Sequence, residues 1–221
     1  MEENNKKLQD LRTSLTAFNR RFRTDGFVLC PQAEDDLSAR TMLAATLTEV
    51  IAARGRKPRQ PDAASFNAVA RYIRGDRPWL LLSGTPGTGK TTYLTAVERI
   101  ARWAHSSDGI APDIRTAKAS GLGGILKSRP DEWEAMKRCK LLLLDDIGFS
   151  GEEVVNNYGV NARPVVELLE SRYDSRRHTV MTTNLTLPQI RQTYGERIYS
   201  RLAELCSVVV MTGKDWRQCG D

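Results

Sequence analysis

The 221-residue chain is 40% hydrophobic and 27% charged, enough apolar material for one sizeable core plus an extension, and its longest apolar run is strand length, which excludes a transmembrane helix. Four scattered cysteines without a Cys-x-x-Cys, only two histidines and a polar start (Met1-Glu2-Glu3-Asn4-Asn5-Lys6-Lys7) argue against zinc sites, disulfides and a signal peptide, and for reduced thiols in the cytoplasm. The net charge of +6 permits a polyanionic partner, although no basic stretch is interleaved with aromatics as a base-stacking platform requires.

In chain order, Leu8, Leu11, Leu15, Phe18 and Phe22 recur at spacings of three and four, a heptad seam. Such a helix either docks a partner or a second copy, or folds back on the core; both readings stand. A second helical pattern runs over 36–53 with Leu37, Leu43, Leu47, Val50 and Ile51. It gives way to Arg54-Gly55-Arg56-Lys57-Pro58-Arg59-Gln60-Pro61, a linker by its glycine and prolines. Its basic residues read as solvated cations following a helix end. The boundary placed there predicts a helical N-terminal extension, 1–60, and a second domain, 61–221.

Asp62 then fits an N-cap for a helix burying Phe66, Val69, Ala70 and Ile73. Beyond it, strands expected at 79–83, 113–117, 141–145, 179–183 and 208–211 alternate with helices at 91–104, 119–127, 161–175 and a broken 187–205. Such alternation predicts an α/β chain with a parallel sheet covered on both faces.

The first strand leads into Gly84-Thr85-Pro86-Gly87-Thr88-Gly89-Lys90-Thr91, which fits G-x-x-x-x-G-K-[ST] and is followed by Thr92. Strand, glycine-rich turn and helix N-terminus make a phosphate-binding P-loop. Its backbone N–H groups would cradle phosphate, Lys90 would reach the β- and γ-phosphates of ATP, and the Thr91 hydroxyl would hold Mg²⁺. The apolar run Leu141-Leu142-Leu143-Leu144 ends in Asp145-Asp146, the form of a Walker B strand. Asp145 would stabilise Mg²⁺ through water and Asp146 would orient the attacking water. Val180-Met181-Thr182-Thr183-Asn184 is another strand with a polar tip, where Asn184 would hold that water and Thr183 would assist. Arg197 and Arg201, four apart on one helical face, are candidates for stabilising charge in phosphoryl transfer, against the plainer role of a solvated basic face. The isolated His105 and His178, the Gly121-Leu122-Gly123-Gly124 turn and Trp216 carry no expected chemistry.

Taken in this order, the elements resemble the AAA+ ATPases, specifically the DnaC/IstB family of helicase loaders and transposition helper ATPases. The match is carried by the Walker A segment, 141–148, Asn157-Tyr158-Gly159, Met181-Thr182-Thr183-Asn184-Leu185, 194–202 and Gly213-Lys214-Asp215-Trp216-Arg217, and spans about residues 62–217. The resemblance implies a three-layer αβα P-loop fold with a five-stranded parallel sheet of order 5-1-4-3-2, and the expected core lacks the C-terminal helical lid. It implies that Asn184 stands between the P-loop and Asp145. It also makes Arg201, with Arg197 as runner-up, an arginine finger acting on a neighbouring subunit. The implied function is Mg²⁺-ATP hydrolysis in an ATP-dependent homo-oligomer on DNA, single-stranded in the loader case, with a replicative helicase as partner. The alternative is assembly on duplex DNA with a transposase. The catalytic pair is Asp-Asp where most AAA+ chains have Asp-Glu, which predicts slow turnover. A small-molecule kinase would need a lid and acceptor site that the residues after the fifth strand leave no space for. A nucleotide-gated scaffold with negligible hydrolysis remains a third reading.

Overall fold

Trp79 and Leu81 point to one side of a strand, Leu80 and Leu82 to the other, and all four are fully buried, so this strand must be covered on both faces. The computed structural model, which describes residues 26–57, 62–75, 77–106, 113–148, 155–157 and 160–212, accomplishes this with two helical layers. The elements run α1 (Asp36–Ala52), α2 (Ala63–Ile73), β1 (Trp79–Ser83), α3 (Lys90–Ala104), β2 (Ile114–Lys118), a 3₁₀ turn (Ala119–Gly121), α4 (Leu122–Ser128), α5 (Pro130–Arg138), β3 (Leu141–Ile147), β4 (Val155–Asn157), β5 (Val160–Ala162), α6 (Pro164–Asp174), β6 (His178–Thr183), α7 (Leu187–Tyr194), α8 (Glu196–Leu205) and β7 (Cys206–Val210).

The five main strands are parallel and ordered β2-β3-β6-β1-β7. Read from the other edge, and leaving out the separate antiparallel hairpin β4-β5, this is the expected 5-1-4-3-2. On one face, Leu80, Leu82, Leu143 and Val180 pack with α1, α2 and α3. On the other, Trp79, Leu81, Leu142, Leu144 and Met181 pack with α4 to α8. Each buried leucine contributes roughly 1.5–3 kcal/mol of transfer free energy, so the two clusters dominate folding.

Local chemistry sets the helix ends. Asp62 caps α2 as expected, accepting from the Ser65 N–H, and Asp35 with Ser38 forms a capping box on α1. The helix expected over 187–205 is broken by Gly195, at φ 86°, a left-handed conformation that glycine adopts without strain. Residues 130–138, for which no helix is expected above, form α5, with Pro130 in its first turn beside Asp131 and Glu132 and with Lys137 and Arg138 in its last.

Leu29, Ala39, Leu43, Leu47 and Val50 belong to the same cluster as Leu80 and Leu82. The second half of the anticipated N-terminal extension is therefore part of the sandwich, and the 54–61 linker does not divide the packing there. The heptad residues Leu8 to Phe22, and Gly213 to Arg217 with Trp216, lie outside the described residues. Cys30, Cys139 and Cys206 are buried free thiols, and burial raises the pKa of each. No helix among the described residues is long and apolar enough to cross a membrane.

Candidate nucleotide-binding site

The P-loop joins the carboxyl end of β1 to the first turn of α3. Gly87 and Gly89 have φ values of 85° and 97°, and Gly89 takes the N-cap position of α3 without any side-chain cap. The helix N-terminus thus keeps the positive end of its dipole for an external anion. Gly84 is fixed by close approach: a Cβ there would lie 2.3 Å from the Met211 carbonyl oxygen. Met211 is held over the loop because its N–H donates to Ser83 O at 2.7 Å. Inside the loop, Thr88 donates to Thr85 O at 2.9 Å, and buried Lys90 donates through Nζ to Gly84 O at 2.6 Å and Thr85 O at 2.8 Å. The ammonium therefore sits within the loop concavity, bound to backbone carbonyls. Thr92, one residue past Thr91, accepts from the exposed Arg54 guanidinium at 2.7 Å.

Asp145 ends the apolar part of β3 and is itself buried. Thr91 Oγ1 lies 3.3 and 3.4 Å from its two carboxylate oxygens, so the P-loop hydroxyl and the carboxylate at the end of β3 stand side by side. Thr182 Oγ1 donates to Asp145 Oδ1 at 2.5 Å. Among the described residues no cluster of three or more His, Cys, Asp or Glu could enclose a metal. Two hard oxygen donors side by side nevertheless suit Mg²⁺, which keeps several waters and binds through one or two protein oxygens plus substrate phosphates.

Asp146 is partly buried and has φ 60°, left-handed for a non-glycine residue. The β3–β6 register shifts at this point: Leu144 faces Met181 and Ile147 faces Thr183, which leaves Asp145 and Asp146 opposite Thr182 alone. This is a β-bulge, and bulges re-aim side chains near active sites. The strand tips are stitched together around it. Thr183 Oγ1 donates to Ile147 O at 2.8 Å and accepts from Leu185 N at 3.0 Å, and Ser83 Oγ donates to Leu185 O at 2.7 Å. Thr183 is thus a fastening of the strand ends. Asn184 follows directly, exposed at the carboxyl end of β6, between β1 and β3 in the sheet order.

Arg197 and Arg201 lie on α8. Both reach Glu170 Oε1 of α6 at 3.0 Å, Arg197 through Nε and Arg201 through Nη1. Their surroundings differ. The Arg201 side chain is only 10% exposed, lies 3.7 Å from Asp174 and stacks over the Tyr173 ring at 4.5 Å. The Arg197 side chain is 71% exposed. Tyr173 in turn donates to Glu204, and the shared bond raises the phenol pKa and lowers that of the carboxyl.

Two buried polar residues were not legible as such in the sequence. Thr182 precedes the anticipated Thr183 and Asn184, and its only signal was a hydroxyl at the tip of an apolar strand. Buried Arg172 gave none; it sits at the opposite end of the sheet.

No family model matches the chain, and no curated protein matches it. Among solved structures, the crystal structure of DnaI is similar with a TM-score of 0.55 at 21% identity, over 80% of this chain and 93% of that one. AMPPCP-bound DnaA from Aquifex aeolicus has a TM-score of 0.49 at 18% identity, over 68% of this chain and 46% of that one. A putative primosome component from Streptococcus pyogenes has a TM-score of 0.46 at 21% identity, over 69% and 78% respectively. The strand order, the glycine-rich loop between β1 and α3 and the likeness to DnaI together give this chain a three-layer αβα P-loop fold similar to that of DnaI.

Proposed function

We propose that the chain is a Mg²⁺-ATP-dependent ATPase that acts in DNA replication as a DnaC-like helicase loader, binding single-stranded DNA and hydrolysing ATP between subunits. The observation that carries the ATPase assignment is the meeting of Thr91, in the first turn after the P-loop, with Asp145 at the end of β3. The motif set shared with helicase loaders supports the role in replication, and the basic net charge is compatible with DNA.

The chemistry follows from the residues. Lys90 exchanges the Gly84 and Thr85 carbonyls for β- and γ-phosphate oxygens, while loop N–H groups hold the rest of the chain of phosphates. Thr91 and Asp145 would hold Mg²⁺, which when bound would supply positive charge to the phosphate oxygens. Asp146 and Asn184, at the carboxyl ends of β3 and β6, orient water for in-line attack. The Asp146 carboxylate accepts a proton from that water as the bond from the γ-phosphorus to the leaving oxygen breaks. An arginine of α8 reaches the site of an adjoining subunit in a head-to-tail assembly.

The deciding experiment is ATP hydrolysis per subunit against protein concentration, with no DNA, single-stranded DNA or duplex. A rate that climbs with concentration and with single-stranded DNA, and that falls by about two orders of magnitude in Asp146→Asn with nucleotide binding retained, is the expected result. Stimulation by duplex alone identifies a transposition helper instead. A flat rate, indifferent to DNA, sinks the loader assignment.

A further inference from the structure

Two aspartates in succession on a strand are ordinarily sent to opposite faces of the sheet. In β3 the bulge opposite Thr182 removes that constraint, because Asp145 and Asp146 together face one residue of β6. A bulge leaves a ladder N–H without its strand partner. Here that donor, the Asp146 N–H, is accepted by Thr182 Oγ1 at 2.8 Å. The same oxygen spends its only proton on Asp145 Oδ1, at 2.5 Å. One hydroxyl, 0% exposed, thus ties the backbone of one carboxylate residue and the side chain of the other.

We propose that Thr182 is the positioning residue of the catalytic pair. Resting on the ATPase assignment above, it sets the orientation of the Asp145 carboxylate toward Mg²⁺ and holds Asp146 in its left-handed conformation at φ 60°. Three features fit this role. The β-branched side chain restricts χ1, so the hydroxyl is held where both partners need it. Accepting from Asp146 and donating to Asp145 fixes the polarity of the bond, so Asp145 Oδ1 is committed as an acceptor. Thr91 Oγ1 lies 3.3 Å from Asp145 Oδ1 and 3.4 Å from Oδ2, so the carboxylate is met from β6 and from α3 together. Thr182 acts through the two aspartates to which it is bonded.

The test compares Thr182→Val, which keeps the shape and loses the hydroxyl, with Thr182→Ser, which keeps the hydroxyl. Affinity of the full chain for a fluorescent ATP analogue is measured in EDTA and in Mg²⁺, alongside Lys90→Ala. Thr182→Val is expected to keep the EDTA affinity and to lose about tenfold of the Mg²⁺-dependent gain, the size of a hydrogen bond to a charged group. Thr182→Ser is expected to retain both. A Thr182→Val protein with the full Mg²⁺-dependent gain, when Lys90→Ala has lost the analogue, overturns the positioning role alone. Lys90→Ala binding the analogue normally removes the nucleotide site and the proposal with it. Should Thr182→Val not fold, hydrogen exchange at the Asp146 amide of the unsubstituted protein decides. Strong protection is expected; exchange at the rate of an open amide overturns the proposal.

Discussion

Lys90 and Arg172 are both buried cations, at opposite ends of the same sheet, and they are held in different ways. Arg172 is fully buried and donates to the carbonyls of Met136, Lys137, Cys139 and His178 and to the Thr179 hydroxyl, at distances between 2.5 and 3.3 Å. Its planar fork joins the end of α5, the approach to β3 and the start of β6 to α6, and no one partner can leave without stranding the others. Lys90 is held by two carbonyls of a single loop, through a compact ammonium on a flexible stem. A phosphate can replace both of these carbonyls. Burial alone does not separate a structural cation from a functional one; the number of elements that share it does.

That contrast is broken most directly at Lys90. Lys90→Ala should eliminate measurable nucleotide binding while leaving the thermal midpoint of the nucleotide-free protein nearly unchanged, by titration and calorimetry. Unfolding of this variant would place Lys90 beside Arg172 as a structural cation.

The same distinction applies between the two arginines of α8. Arg201, stacked on Tyr173 and paired with Glu170 and Asp174, resembles Arg172 in its ties to its own chain, whereas Arg197 has one half-open ion pair. A trans-acting arginine contributes ~10³–10⁵ to the rate. If the exposed residue is the finger, Arg197→Ala loses at least about a thousandfold in hydrolysis with normal nucleotide binding, and Arg201→Ala loses stability instead. The reverse result, measured by turnover and by chemical denaturation, assigns the finger to Arg201 and means that it leaves Glu170 on assembly.

Arg172→Ala is next in size. Stranding several buried carbonyls should cost at least about 3 kcal/mol in denaturant unfolding, with or without nucleotide. Arg172→Lys should recover only part of this, because an ammonium cannot span the fork. The smallest effect lies at the caps. Asp35 is held below the usual carboxylate range by the Ser38 hydroxyl and N–H, and Asp62 by the Ser65 N–H and hydroxyl. Because the folded pKa values are depressed, the stabilisation is complete above the unfolded value of about 3.9 and is lost as pH falls through the folded values. Stability should therefore step down below about pH 4, and Asp35→Asn with Asp62→Asn should shrink that step.

The sequence by itself determined the elements whose signals are local. A glycine-rich loop between an apolar strand and a helix, an apolar run closing on two aspartates, an Asp62 cap and a break within 187–205 each sit within a few residues of what they control. The signals for α5 are equally local, with proline at its start and opposite charges at its ends, but only four of its nine residues, PDEWEAMKR, are uncharged, too few to mark a helix by apolar periodicity. Tertiary structure alone decided what depends on distant residues. Thr182 meets Asp146 across 36 positions and Thr91 meets Asp145 across 54, so neither bond has any imprint on local periodicity. The bulge at Asp145–Asp146 arises from how β3 is paired with β6, and a strand read singly carries no register. Burial of α1 against α2 and α3 likewise follows from the stacking of layers, whereas a run of glycine and prolines reports only where the chain turns.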